Sequence, residues 1–289
     1  MSSLCTLLGY TRQAFYGQQQ YRLQQECEAE LIIQQVQKHR VLQPRLGTRK
    51  LVVLLRDFVK EHHIKLGRDG LFDLLRKHKL LIRKRKRTVQ TTFSKHWYQK
   101  YPNLVKQYEP LTTSLLWVSD ITYIILKNGF AYLSLITDAY SRQIVGFCLA
   151  PTLEAIGCIN ALQMALTGCR DHSQLIHHSD RGVQYCCGNY VDLLKSNHIR
   201  ISMTENGDPL ENALAERVNG ILKEELLEQI YPDFKTAQPA VAKAIFIYNE
   251  LRPHSSCNML TPQIAHLQTG ELKKHWKNYY KKKEVEMVT

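Results

Sequence analysis

Three acidic residues sit where acids are expensive. Asp120 interrupts the apolar run Trp117-Val118-Ser119-Asp120-Ile121-Thr122. A carboxylate in such a run costs free energy unless it is paired or binds a cation. Asp180 closes the apolar stretch Leu175-Ile176-His177-His178-Ser179, and strand ends in α/β sheets are where ligands gather. Glu216 lies among alanines in Asn212-Ala213-Leu214-Ala215-Glu216-Arg217, which leaves room for close helix approach. Three carboxylates form an all-oxygen donor set suited to Mg2+ or Mn2+. Two such ions roughly 4 Å apart can clamp an in-line phosphoryl displacement. Each acid also has an ordinary reading: a satisfied core residue for Asp120, a cap for Asp180, a solvated helix position for Glu216.

The elements around them read as a mixed α/β domain. Residues 115–126 are rich in β-branched and aromatic side chains and predict a strand. Lys127-Asn128-Gly129 is a hairpin turn signal, followed by strands over 130–140 and 143–150. A helix over 154–168, a short strand at 175–180, a helix over 188–197 and a strand at 199–203 come next. Residues 210–229 read as one long helix carrying Glu216. Three antiparallel-looking strands followed by alternating helix and strand predict a mixed five-stranded sheet. Asp138, at a strand end, reads as a turn-stabilising residue.

The first third differs in charge. Residues 1–105 hold 21 Lys and Arg against 7 Asp and Glu, whereas the remainder is close to neutral. A concentrated basic region is the footprint of a polyanion partner, because each phosphate contact releases counterions. Residues 1–82 read as helical, in one or two helix-turn-helix units at about 1–40 and 41–82. The first has a turn at Gly9 and an amphipathic helix over 26–40 with Leu31, Ile32 and Val36 on one side. In the second, Arg49 and Lys50 open a helix and Arg68 stands at the start of another, where a recognition helix meets a DNA groove. Arg83, Lys84, Arg85, Lys86 and Arg87 then form a basic linker, expected over 83–110, that can lie along phosphates or simply be solvated. A catalytic core is expected over 111–270 and a basic tail over 271–289.

Other features exclude classes. No run of eighteen apolar residues and no signal-peptide pattern is present, so a cytoplasmic protein is expected. Eight scattered cysteines without a C-x-x-C pair do not suggest a disulfide framework. The His177-His178 and Cys186-Cys187 doublets are spaced too tightly for a usual zinc site.

The stretches W-V-S-D-I-T-Y (117–123), H-S-D-R-G-V-Q-Y (178–185), E-N-A-L-A-E-R (211–217) and Y-N-E-L-R-P-H-S-S (248–256) resemble the insertion-sequence transposases of the IS-three family. The likeness covers nearly the whole chain, including the 35 residues between Asp180 and Glu216. It implies a ribonuclease-H-like core of the retroviral integrase type. It makes Asp120, Asp180 and Glu216 the ligands of Mg2+ or Mn2+, two ions per site. The family has a basic residue seven places after the glutamate, which implies that Lys223 contacts the DNA end. Where many members read Asp-Asn-Ala before the glutamate, this chain has Glu211-Asn212-Ala213.

The resemblance also implies the reaction. A metal-activated water frees a 3′-hydroxyl at the element's terminal inverted repeats, and that hydroxyl attacks target DNA. Joining two ends calls for a dimer or larger assembly, and a partner or fusion carrying an upstream helix-turn-helix (OrfA-type) is expected. His178, two residues before Asp180, either touches the scissile phosphate or packs. Arg252 and His254 either contact DNA or seal the core. A catalytically silent DNA-binding regulator and a structure-specific nuclease are the competing readings.

Overall fold

Thr11 starts the first helix, its hydroxyl accepting from the Ala14 amide at 3.1 Å. In the computed structural model, which describes residue 7 and residues 9–83, 97–106, 108–169, 171–205 and 212–276, this helix (α1) runs unbroken over Arg12–Leu42. The amphipathic helix expected over 26–40 is thus the second half of a longer one. Gly17 is the one weak helix former there, and its cost of about 1 kcal/mol is too small to break the run. The buried stripe is Ile32, Ile33 and Val36, so Leu31 faces outward and is 42% exposed, against the expectation that it joins that stripe. Ile33 takes its place because the buried face turns toward the i+1 side of Ile32.

Helices α2 (Thr48–Leu54), α3 (Arg56–Glu61) and α4 (Arg68–Lys77) complete the first unit, Met1–Arg83. Its core draws Ile32 and Val36 together with Leu46, Leu51, Leu55, Ile64, Leu71 and Leu75. Side chains from the two expected helix-turn-helix stretches thus share one core. Arg40 ties the unit together by donating to the carbonyls of Leu80 (2.7 Å) and Leu46 (3.3 Å).

The second unit, Lys84–Thr289, is built on a sheet. Strand β1 (Leu116–Leu126) turns through Lys127-Asn128 into β2 (Gly129–Asp138), with Gly129 at φ +118° where a side chain would be strained. Strand β3 (Ile144–Ala150) pairs antiparallel with β2. Helix α5 (Ala155–Gly168) then leads to β4 (Ile176–Ser179), which pairs parallel with β1. Helices α6 (Val183–Cys186) and α7 (Gly188–Ser196) precede β5 (Arg200–Met203), parallel to β4. The mixed five-stranded sheet has the order β3-β2-β1-β4-β5.

Helices cover both faces. Ile136, Ala161, Leu162, Tyr190 and Ile201 fill the layer under α5 and α7. Leu133, Leu135, Val218, Val241 and Ile245 fill the layer under α8 (Ala213–Ile221) and α9 (Phe234–Glu250). The period-2 alternation of β2 supplies both layers. A short helix, α10 (Pro262–His266), follows. The long helix expected through residue 229 instead ends at Ile221 and widens into a π-helical turn, Leu222–Leu226. Among the described residues no helix is long and apolar enough to cross a membrane.

Candidate active site

The parallel register pairs Leu116 with Ile176 and Val118 with His178. Asp120 lies two residues beyond the last pair on β1, and Asp180 follows the end of β4. Val118 and Ala215 share a small apolar cluster, so this face of β1 looks toward α8. Ala215 lets the helix come close, and Asn219, one turn further, meets Asp120. Its Nδ2 donates to Asp120 Oδ2 at 2.7 Å, while the Ile121 amide donates to Oδ1 at 2.9 Å. Asn212 anchors the start of α8 by donating to the Ser119 carbonyl at 3.0 Å. Glu216 lies one turn before Asn219 on the same helix.

Asp120 carries the electrostatic signature of the site. Burial, then the charge of Asp180, and to a smaller degree that of Glu216, push its carboxyl up to about 7 against the two hydrogen bonds. Asp120 is thus repelled by both of the other acids. Asp180 Oδ1 accepts from the Gly182 amide at 2.9 Å. Lys223, in the π-turn, feels the charge of Asp120, although burial is the larger influence and lowers its ammonium pKa. Among the described residues no three His, Cys, Asp or Glu side chains lie close enough to hold a metal as they stand. The all-oxygen donor set nevertheless has the chemistry of a hard divalent cation site, since the repulsion Asp120 feels from the other two acids would be relieved by a cation between them.

Two family models described as integrase core domain match residues 113–209 and 197–262. The 31 kDa protein of insertion element IS600 from Shigella sonnei is 30% identical over 264 residues, covering 90% of this chain and 96% of that one. The chain belongs to the IS-three (IS3) family of insertion-sequence transposases. Transposase InsF of IS3A from Escherichia coli is 34% identical over 152 residues, and there the match spans about half of each protein (51% of this chain, 52% of that one). The catalytic core of HTLV-2 integrase in complex with magnesium superposes on 55% of this chain and 99% of its own, at 20% identity and a TM-score of 0.43. The fold of this family member is the ribonuclease-H-like one of integrase cores, and the chain is an enzyme of the polynucleotidyl transferase type.

Other residues expected at the site lie elsewhere. His178 is fully buried, with Nδ1 2.9 Å from Ser202 Oγ on β5. An interior ring cannot reach a phosphate, so His178 packs. Arg252 is 2% exposed and grips Glu225 with Nε and Nη2 at 2.9 and 2.8 Å, which takes it out of DNA contact. His254 is buried too. In the helical unit Arg49, Arg68 and Arg83 are exposed, Lys50 is partly so, and Arg68 pairs with Asp69 at 2.8 Å. Lys84, Arg85, Lys86 and Arg87, and the tail beyond residue 276, lie outside the described residues.

Sequence reasoning missed Asn219. Its spacing of three from Glu216 is the available signal, because it puts both on one helix face. It also missed a buried network behind the acids. His177 Nε2 lies 2.7 Å from Ser119 Oγ and 2.9 Å from Tyr190 Oη, joining β1, β4 and α7. Burial drives the His177 pKa down to about 3, so the ring is neutral.

Proposed function

We propose that this chain is the divalent-metal-dependent transposase of its element, cutting at the terminal inverted repeats and joining the ends to target DNA. Asp120, Asp180 and Glu216 would hold Mg2+ or Mn2+, two ions per site. The observation that carries the reading is Asp120: a carboxylate kept among apolar strands, opposed by two further acids and pushed up to about 7. A structural carboxylate would be surrounded by donors instead.

When bound, such ions activate the attacking oxygen and neutralise charge on the leaving one. The protein's own share is positional. Asn219 and the Ile121 amide fix the two oxygens of Asp120, and the Gly182 amide fixes Asp180. Lys223 offers a cation beside the acids for the phosphate of a DNA end. Arg49, Lys50, Arg68 and the basic stretch from Arg83 to Arg87 would meet duplex backbone, because the first third carries the excess charge. Two ends must be held at once, so the active form is a dimer or larger.

The test uses the full chain, DNA bearing the element's ends, and Mg2+ or Mn2+. Cutting and joining are expected, both abolished by chelation, with Asp120→Asn reducing joining by on the order of 10³-fold. Cutting without joining would indicate a nuclease. Binding with neither step would reduce the protein to a regulator and sink the proposal.

A further inference from the structure

Arg252 lies just past the C-cap of α9, Leu251, and just before Pro253, within the stretch Tyr248 to Ser256 that the metal chemistry does not use. Its guanidinium lies 5.8 Å from the Tyr248 ring centroid, and its fork meets both oxygens of Glu225. The Glu225 side chain is itself only 16% exposed. Ion pairs this deep are poor investments for stability, because desolvation offsets the attraction and apolar residues serve as well. They are better at fixing one arrangement, and what this pair fixes is the π-helical turn.

That turn is unusual backbone. Leu222 and Leu227 are buried at its two ends, and the Leu227 amide reaches back to the Leu222 carbonyl at 2.8 Å. A π-turn is rare and gathers at functional sites. Here it fits Lys223, Glu224 and Glu225 into one widened loop between α8, which carries Glu216 and Asn219, and the next strand contact. In a regular helix Lys223 would lie about two turns above Glu216. With the turn widened, its direction depends on what holds the loop.

We infer that the Arg252–Glu225 pair is a positioning device, clamping the π-turn so that Lys223 is presented to the acid site and to the DNA-end phosphate there. The proposal rests on the reading of Asp120, Asp180 and Glu216 as the reacting site. Two geometric facts support it. Glu225 is two residues from Lys223 within the same five-residue turn, and its partner comes from the loop after α9, 27 residues on.

The experiment is a double-mutant cycle on the full chain. Affinity for element-end DNA is measured in chelator as a function of salt, and joining is measured with Mg2+. Removing one phosphate contact lowers the salt slope by about one. Lys223→Ala is expected to do this. Glu225→Gln and Arg252→Lys are expected to do the same and to slow joining about tenfold, the scale of a small misplacement at a reacting site. In the Lys223→Ala background neither adds a further loss of slope.

A clamp with a purely structural role would leave the slope unchanged, or lower it equally in both backgrounds, and either result overturns the inference. So does loss of the fold in both clamp variants at a temperature where the parent is folded. Asp120→Asn is run alongside. If it joins ends at the parent rate, the site reading fails. If it is inert while Lys223→Ala leaves the slope intact, only the clamp proposal fails.

Discussion

Asp120 and Asp138 are aspartates on paired strands, the first partly and the second fully buried, yet their surroundings are opposite. Asp138 is 0% exposed and answered on every side. Its Oδ1 accepts from the Tyr140 amide, the Ser141 amide and Ser141 Oγ at 3.1, 2.8 and 2.9 Å, and its Oδ2 accepts from the Ser114 amide at 2.9 Å. Asp120 has two donors and faces two other acids. Desolvation of a carboxylate is offset either by donors built into the fold or by something brought to the site. The first arrangement makes a corner of the β2–β3 turn. The second leaves Asp120 with few donors and two opposing acids, the imbalance that the proposed metal site would answer.

Removing each charge should therefore have opposite effects, and these are the largest expected. Asp120→Asn reduces joining by on the order of 10³-fold but relieves repulsion, so the metal-free protein melts higher than the parent at neutral pH. Asp138→Asn replaces an acceptor with a donor among amides that need acceptors. Loss of charge-assisted bonds of this kind costs about 2–4 kcal/mol, or roughly 10 °C in a chain of this size. Thermal melts in chelator, with joining assays on the folded fractions, check both. A lower melting temperature for Asp120→Asn, or an unchanged one for Asp138→Asn, breaks the comparison.

A smaller effect concerns pH. Asp120 titrates near 7 in the fold, against 3.8 as its ordinary value. A raised carboxyl contributes stability that is fully present below about pH 4 and is lost as pH rises toward 7. The melting difference between Asp120→Asn and the parent, measured in chelator, should grow across that window and level off above it. The size is on the order of a few kcal/mol. His177 acts in the other direction. Its pKa is lowered to about 3, so the stability from its neutral ring is present above 6.5 and lost as pH falls through that range. His177→Gln should flatten the acid limb and leave the Asp120 difference curve in place. A flat Asp120 curve between pH 4 and 7 would mean that its carboxylate is balanced after all.

Much of this was legible in the residues. The hairpin at Lys127-Asn128-Gly129 and the alternation of β2 follow from local chemistry. Asp120 and Asp180 stand out because an acid in an apolar strand is anomalous, whereas Glu216 needed the spacing carried by the family likeness. What stayed hidden depends on distant partners. Residues 213–226 keep helical periodicity, so nothing local announces the π-turn. Asn219 reads as an ordinary helix residue until β1 lies against it. Arg252 resembles a DNA contact because Glu225 is 27 positions away. His178 looks available until β5 supplies Ser202 and closes over it.

The smallest expected effect tests whether the acid site can be disturbed without touching the fold. A Cβ at Gly182 would lie 3.0 Å from Asp180 Oδ1 and 3.2 Å from Gln184 Oε1. The backbone at Gly182, φ −61° and ψ 143°, suits any L residue, so Gly182→Ala adds no backbone strain. Gln184 is held by its bond to the Leu153 carbonyl at 2.8 Å, so the carboxylate of Asp180 is the group that must yield. A shift of a few tenths of an ångström there should weaken Mg2+ or Mn2+ binding several-fold in a calorimetric titration, with the melting temperature nearly unchanged. Gly146→Ala is the contrast, since its Cβ would meet the Ala161 carbonyl at 2.1 Å and force α5 off the sheet, at a cost of about 1–3 kcal/mol. If Gly182→Ala instead lowers the melting temperature and leaves metal affinity intact, Asp180 belongs with Asp138 as a structural acid, and the division between the two kinds of aspartate fails at its second member.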